Sequence, residues 1–169
     1  PGQVAYWPAG LCLCFPRQGC VNGRVVLDEG DVNLTFKRYI ERPVELVFEN
    51  DHVVQIVGKG LDADLLRSYY AAWDDTAAYG VSHVGWGLNP LARWDALAMY
   101  DKSQINGTEL RAFAGSFLFS TGANEHAGRF TRGHFDFPMR HCTVALDGVA
   151  VVERGQLADA APLEETGHE

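Results

Sequence analysis

No stretch of this chain approaches the roughly eighteen consecutive apolar residues of a membrane-spanning helix, and its start shows no signal-peptide pattern. Basic residues are scarce: 14 Lys and Arg face 22 Asp and Glu, a formal charge of -8, and they form no cluster. A phosphate backbone would be repelled by most of such a surface, so nucleic acid is not an expected partner. Cysteine is limited to four residues, with Cys12, Cys14 and Cys20 crowded together and Cys142 far away. Their spacing is not that of a zinc finger and no histidine lies near to complete a tetrahedral site, so reduced thiols are expected. Internal repeats and low-complexity linkers are absent too. What remains, 47% apolar and 21% charged over 169 residues, is the composition of one globular domain with a real core, and the cytoplasm is its expected location. The chain opens on Pro-Gly-Gln-Val with no initiator Met, as a piece of something longer would. Its last residues lose periodicity, giving an expected domain at 1–157 and a mobile tail at 158–169.

Short apolar stretches bounded by turn residues dominate the pattern. Strands are expected at Val4 to Trp7, Arg24 to Leu27, Val32 to Phe36, Val44 to Phe48, Val53 to Val57, Val81 to Trp86 and Gly115 to Ser120. Asp28 to Asp31 is a plausible hairpin connection, Glu49 to His52 another, and Asp147-Gly148 a strong one between Thr143 to Leu146 and Val149 to Glu153. Asp62 can cap a helix running to about Tyr79, with an aromatic stripe at Tyr69, Tyr70 and Trp73 that reads as core. Asn89-Pro90 suits the start of a shorter helix reaching Met99. The sum is an α+β domain with mostly antiparallel sheet and a few helices.

The chemistry concentrates in Gly133-His134-Phe135-Asp136-Phe137-Pro138. In an extended chain side chains alternate, so His134 and Asp136 share one face while Phe135 and Phe137 take the other. Such a pair can supply two positions to a divalent metal, and His83, in the glycine-rich stretch Ser82 to Pro90, offers a third. Two histidines and one carboxylate leave adjacent positions open for substrate and dioxygen, as in non-haem ferrous oxygenases. A buried histidine is as readily a hydrogen-bonded core residue, and spacing alone does not bring position 83 to position 134.

Four longer stretches carry a resemblance: Ser82-His83-Val84-Gly85-Trp86-Gly87-Leu88-Asn89-Pro90, Asn106 to Gly115, Phe117 to Glu125, and Gly133-His134-Phe135-Asp136. Together they resemble the C-terminal part of the 2,5-dihydroxypyridine dioxygenases of bacterial nicotinate breakdown. That family is in turn similar to the leucyl-type metalloaminopeptidases of thermophiles, which implies the fold of their C-terminal catalytic domain. The resemblance implies Fe(II) on His83, His134 and Asp136, an aromatic ring and O2 as substrates, ring opening to N-formylmaleamate, and no organic cofactor. Catalytic roles are then expected for Ser120 and Glu125 and substrate contacts for Thr121 and Asn124, although polar residues of a turn would look the same. Arg129 and Arg132 are candidates for offsetting ligand charge. A homo-oligomer is also expected. Relative to the peptidase pattern, Gln3 and His83 stand where carboxylate ligands would be, which lowers the charge available to a metal pair and suits a single metal. The rival readings are a metalloaminopeptidase, which needs a second metal and a carboxylate base, and an inactive fragment.

Overall fold

Period-two alternation of apolar residues builds twelve short strands among the described residues. The structure, a computed structural model, describes residues 10–159. The strand expected at Val4 to Trp7, the Gln3 position and the tail from residue 160 lie outside that range. β1 (Leu11–Cys14) leads through a loop to β2 (Gly23–Leu27), β3 (Val32–Asn33), β4 (Arg38–Tyr39), β5 (Val44–Glu49) and β6 (His52–Val57). α1 (Leu61–Trp73) and a 3-10 turn, Thr76–Tyr79, precede β7 (Val81–Gly87). Two short helices, α2 (Ala96–Met99) and α3 (Thr108–Ala112), come before β8 (Phe117–Thr121). A second 3-10 turn, Glu125–Ala127, connects to β9 (Phe135–Met139), and β10 (Val144–Leu146), β11 (Val149–Glu153) and β12 (Gln156–Leu157) follow.

The strands pair in the orders β1-β7-β8-β9, β2-β5-β6 and β10-β11-β12, with β3 and β4 as a separate pair, every ladder antiparallel. This is the expected α+β architecture. Phe119, Phe135, Phe137 and Met139 of the four-stranded sheet pack against Leu27, Val44, Leu46, Phe48 and Val53 of the second sheet, with Ala63, Leu66 and Tyr70 of α1 closing the core. A smaller cluster joins Val32 and Leu34 to Ala96, Leu97 and Leu110. The hairpin tips read correctly: Asn50 and Asp51 join β5 to β6, and Asp147-Gly148 joins β10 to β11, with positive φ at all four residues as such tight turns require.

Three expectations are corrected. Arg24 to Leu27 does not pair with Val32 to Phe36, because β2 pairs with β5 (Leu27 beside Val44). The buried Asp31 carboxylate accepts the backbone N–H groups of Asp28 and Arg140, and Gly30 N–H donates to Ile40, which turns the chain away from a hairpin and into β3. The helix expected to reach Tyr79 stops at Trp73, where Asp74 adopts a left-handed conformation (φ 48°) and Asp75 caps the separate 3-10 turn through Ala77 N–H. Asp62 is not its cap: Gly60 is, while Asp62 accepts from Glu41 and Arg42 N–H and pairs with Arg38 at 3.2 Å. The helix expected over residues 90–99 shrinks to Ala96–Met99, since Asn89 Oδ1 and Glu109 Oε1 take the N–H groups of Leu91 and Arg93 that would have begun it.

Candidate metal centre

Alternation along β9 sends Phe135, Phe137 and Met139 into the core and leaves Asp136 on the opposite face of the sheet. On β8 the same rule points Phe119 inward and Ser120 outward, and Ser120 stands opposite Asp136 in the β8–β9 register. β7 contributes through an irregularity. Val81 faces Thr121 and Val84 faces Phe119, so two residues, Ser82 and His83, oppose the single Ser120. This β-bulge re-aims a side chain that strict alternation would direct elsewhere, and His83 joins the row with Ser120 and Asp136. His134, just ahead of β9, completes the group.

The potential ligand atoms of His83, His134 and Asp136 all lie within 4.8 Å of one another. Asp136 Oδ1 is 3.4 Å from His83 Nε2 and 3.2 Å from His134 Nε2. Adjacent ligands of an octahedral ion with bonds of about 2.1 Å stand about 3 Å apart, so the donor set and its spacing both suit one divalent metal. Asp136 is nearly fully buried, whereas the His134 side chain is 42% exposed, which leaves the group approachable from the His134 side.

Each potential ligand is held from behind. Arg111 of α3 directs both Nε and Nη2 at Asp136 Oδ2, the former at 2.7 Å, and so leaves Oδ1 free to face the imidazoles. Burial acts to raise the Asp136 pKa, but hydrogen bonds from His134 and His83 and the charge of Arg111 outweigh it and hold the carboxyl well below the usual carboxylate range. Asp136 is therefore an anion at neutral pH. Ser82 Oγ lies 3.0 Å from His83 Nδ1 and itself donates to the Ala123 carbonyl. With its only proton committed there, the hydroxyl accepts from Nδ1–H, which leaves Nε2, on the Asp136 side, as the nitrogen that would bind a metal. The backbone of His134 is held by Tyr69, whose hydroxyl donates to its carbonyl and accepts its N–H, and by Thr35 Oγ1, which donates to the same carbonyl at 2.9 Å. Gly122, at φ 119°, lets this segment come close: a Cβ there would meet the Gly133 carbonyl at 2.3 Å.

The other expected site residues divide. Ser120 is in the group, its Oγ 2.9 Å from His83 Nε2 and donating to Asp136 Oδ1. Thr121 is not: one residue along β8 it faces the core, fully buried, and shares a 2.7 Å hydrogen bond with Tyr70 Oη, so a substrate contact is corrected to a core role. Asn124 is buried, capping the 3-10 turn through Ala127 N–H and donating to the Pro16 carbonyl, which corrects it to a loop-fixing role. Glu125 sits at the exposed start of that turn. Arg129 donates to the carbonyls of Gly122 and Val81, and Arg132 lies over the Trp73 ring at 5.9 Å, so the cation that offsets the ligand charge is neither of these but Arg111. Sequence reasoning also missed Ser82 and Tyr69. The available signals were slight: Arg111 falls inside a distinctive stretch, and Tyr69 was visible only as one member of an apolar stripe. The four cysteines are free thiols, and burial pushes Cys142 up to about 11.

Removing the Ser82 hydroxyl gives a direct check on the ring orientation. Ser82→Ala is expected to weaken divalent-metal binding by about 10- to 100-fold, the usual effect of losing such a support, and Ser82→Thr to restore most of it. Isothermal titration of both variants measures this, and unchanged affinity in Ser82→Ala would remove the orienting role assigned to Ser82.

On an α+β fold, two imidazoles and a carboxylate brought together in this way form the kind of donor set that non-haem metal proteins use. Within that class the chain belongs to the 2,5-dihydroxypyridine 5,6-dioxygenase family, whose model matches residues 1–159. It is 40% identical over 159 residues to the 2,5-dihydroxypyridine 5,6-dioxygenase of Pseudomonas putida, covering 93% of this chain and 45% of that protein. The solved structure of the 2,5-dihydroxypyridine dioxygenase from Pseudomonas putida KT2440 superposes with a TM-score of 0.85 at 40% identity, over 90% of this chain and 44% of that one. The chain thus spans a little under half the length of these relatives. Among the described residues, no helix is long and apolar enough to cross a membrane.

Proposed function

We propose that this chain carries the metal centre of a ring-opening dioxygenase that acts on 2,5-dihydroxypyridine with O2, with Fe(II) held by His83 Nε2, His134 Nε2 and Asp136 Oδ1. The observation that carries the reading is the convergence of these three side chains to within 4.8 Å, in a chain of the dioxygenase family. Fe(II) held by His83, His134 and Asp136 would supply the electron transfer from the dihydroxypyridine ring to dioxygen.

The protein's own residues prepare that chemistry. Arg111 neutralises Asp136 from behind and fixes which carboxylate oxygen faces the imidazoles. Ser82 orients His83 by accepting its Nδ1 proton. Ser120 is the hydroxyl that can hold a proton beside the open face, because its Oγ already touches His83 and Asp136. Glu125, exposed at the start of the 3-10 turn that follows β8, is proposed as a further acid or base. Residues 1–157 act as one metal-binding unit in this proposal, within a cytoplasmic homo-oligomer.

The test is oxygen uptake by the full-length protein, reduced and supplied with Fe(II). One O2 is expected per 2,5-dihydroxypyridine opened, with turnover abolished in His83→Ala. The rival metalloaminopeptidase needs a second ligand set. The described residues contain a single group of three or more potential ligands, which favours one metal. Aminopeptide hydrolysis with no ring-dependent oxygen uptake would reverse the choice.

A further inference from the structure

The row of side chains that forms the metal centre does not end at His83. β1 pairs with β7 with Cys14 beside Val84, and continuing that register by one residue brings Phe15 beside His83. Their rings meet edge to face with centroids 5.7 Å apart. Four neighbouring chain segments thus present Phe15, His83, Ser120 and Asp136 in sequence across one sheet face. On its far side the Phe15 ring packs against His126 at 4.7 Å, in the 3-10 turn that follows β8.

This phenyl ring is held in place rather than left free on a loop. Asn124 Nδ2 donates to the carbonyl of Pro16, the next residue, tying the segment to the turn that carries His126. Asp51 takes the N–H groups of Gly19 and Val21 with its two carboxylate oxygens, at 2.6 and 2.8 Å, and fixes the far end of the same loop. A large apolar ring is therefore anchored at both sides next to a metal ligand, while only part of its surface is covered.

We propose that Phe15 is the aromatic wall of the substrate space, the residue against which a flat heteroaromatic ring packs when it reaches the metal, and hence a determinant of selectivity for planar substrates. This rests on the proposed dioxygenase function. Aromatic pairs favour offset or edge-on contacts that add to the area they bury, so truncation is expected to weaken ring binding about tenfold.

The test is anaerobic titration of Fe(II)-loaded full-length protein with 2,5-dihydroxypyridine, followed by ring absorbance, with metal affinity measured separately. Phe15→Ala is expected to lose about tenfold in ring affinity while metal affinity stays within about twofold, and Phe15→Tyr to recover the loss. In turnover the defect falls on KM more than on kcat. Unchanged ring affinity in Phe15→Ala would overturn the wall while leaving the proposed function standing. A drop in metal affinity instead would make Phe15 a packing support for His83 and equally overturn it. Wild-type protein that takes the metal and ignores the ring would overturn the proposed function, and the wall with it.

Discussion

Asp136→Ala is expected to lower divalent-metal affinity by more than about 100-fold, beyond what the loss of a supporting partner produces, and to abolish oxygen uptake. Two effects combine. The site loses its only anionic donor, and Arg111, whose Nε and Nη2 both point at Asp136 Oδ2, is left as a cation facing two imidazoles. That local reversal of charge repels an incoming divalent ion and costs roughly 1–3 kcal/mol of folding stability, because the guanidinium is 27% exposed and can recover part of its hydration. Asp136→Asn keeps the shape and an oxygen acceptor for Arg111 while removing the charge. It is expected to lose less stability than Asp136→Ala yet still bind metal poorly. Calorimetry for the metal and urea unfolding for the fold give both numbers, and an Asp136→Ala protein with full metal occupancy would place the anionic ligand elsewhere.

The second large effect is expected in the core directly behind the site. Phe135 is fully buried and meets Phe36, Tyr69, Tyr70 and Phe137 with ring centroids 4.3 to 5.4 Å apart. Phe135→Ala should destabilise the fold by about 3–5 kcal/mol, the usual range for a phenylalanine removed from a rigid core. Because its chain neighbours are His134 and Asp136, and because Tyr69 both packs on Phe135 and holds the His134 backbone, metal affinity is expected to fall with stability. Urea denaturation measures the first and metal titration the second. A loss below about 1.5 kcal/mol would mean that the surrounding rings close the cavity.

His134 and Asp136 were legible because alternation is a local rule: Phe135 and Phe137 must go inward, so the polar residues between them face outward. The Asp147-Gly148 and Asn50-Asp51 turns were legible for the same reason, since two residues determine the geometry. Partners distant in sequence were not. Nothing near Leu27 announces Val44 as its neighbour, and the hairpin expected with Val32 failed because the buried Asp31 accepts the backbone N–H of Arg140, more than a hundred positions away. His83 was legible only as an imidazole in a glycine-rich stretch, and the bulge that aims it depends on register with β8, which its own residues do not encode. Arg111 was invisible for a further reason: an arginine on a short helix declares its charge but not the carboxylate it meets. Thr121 and Asn124 show the converse, polar side chains next to a site whose hydrogen bonds all go to the scaffold.

The row Phe15, His83, Ser120, Asp136 also bears on the order of events during folding. Each member comes from a different strand or strand end, and the pairings that align them, β1 with β7 and β7 with β8, join segments far apart in the chain. Long-range strand pairing is slow because loop closure must precede any contact it rewards. Only His134 and Asp136 are neighbours early, and two donors make a weak grip. An ion bound by this group would therefore be captured after the sheet has closed rather than serve as its nucleus, and its uptake by refolding protein is expected to follow strand assembly rather than metal concentration.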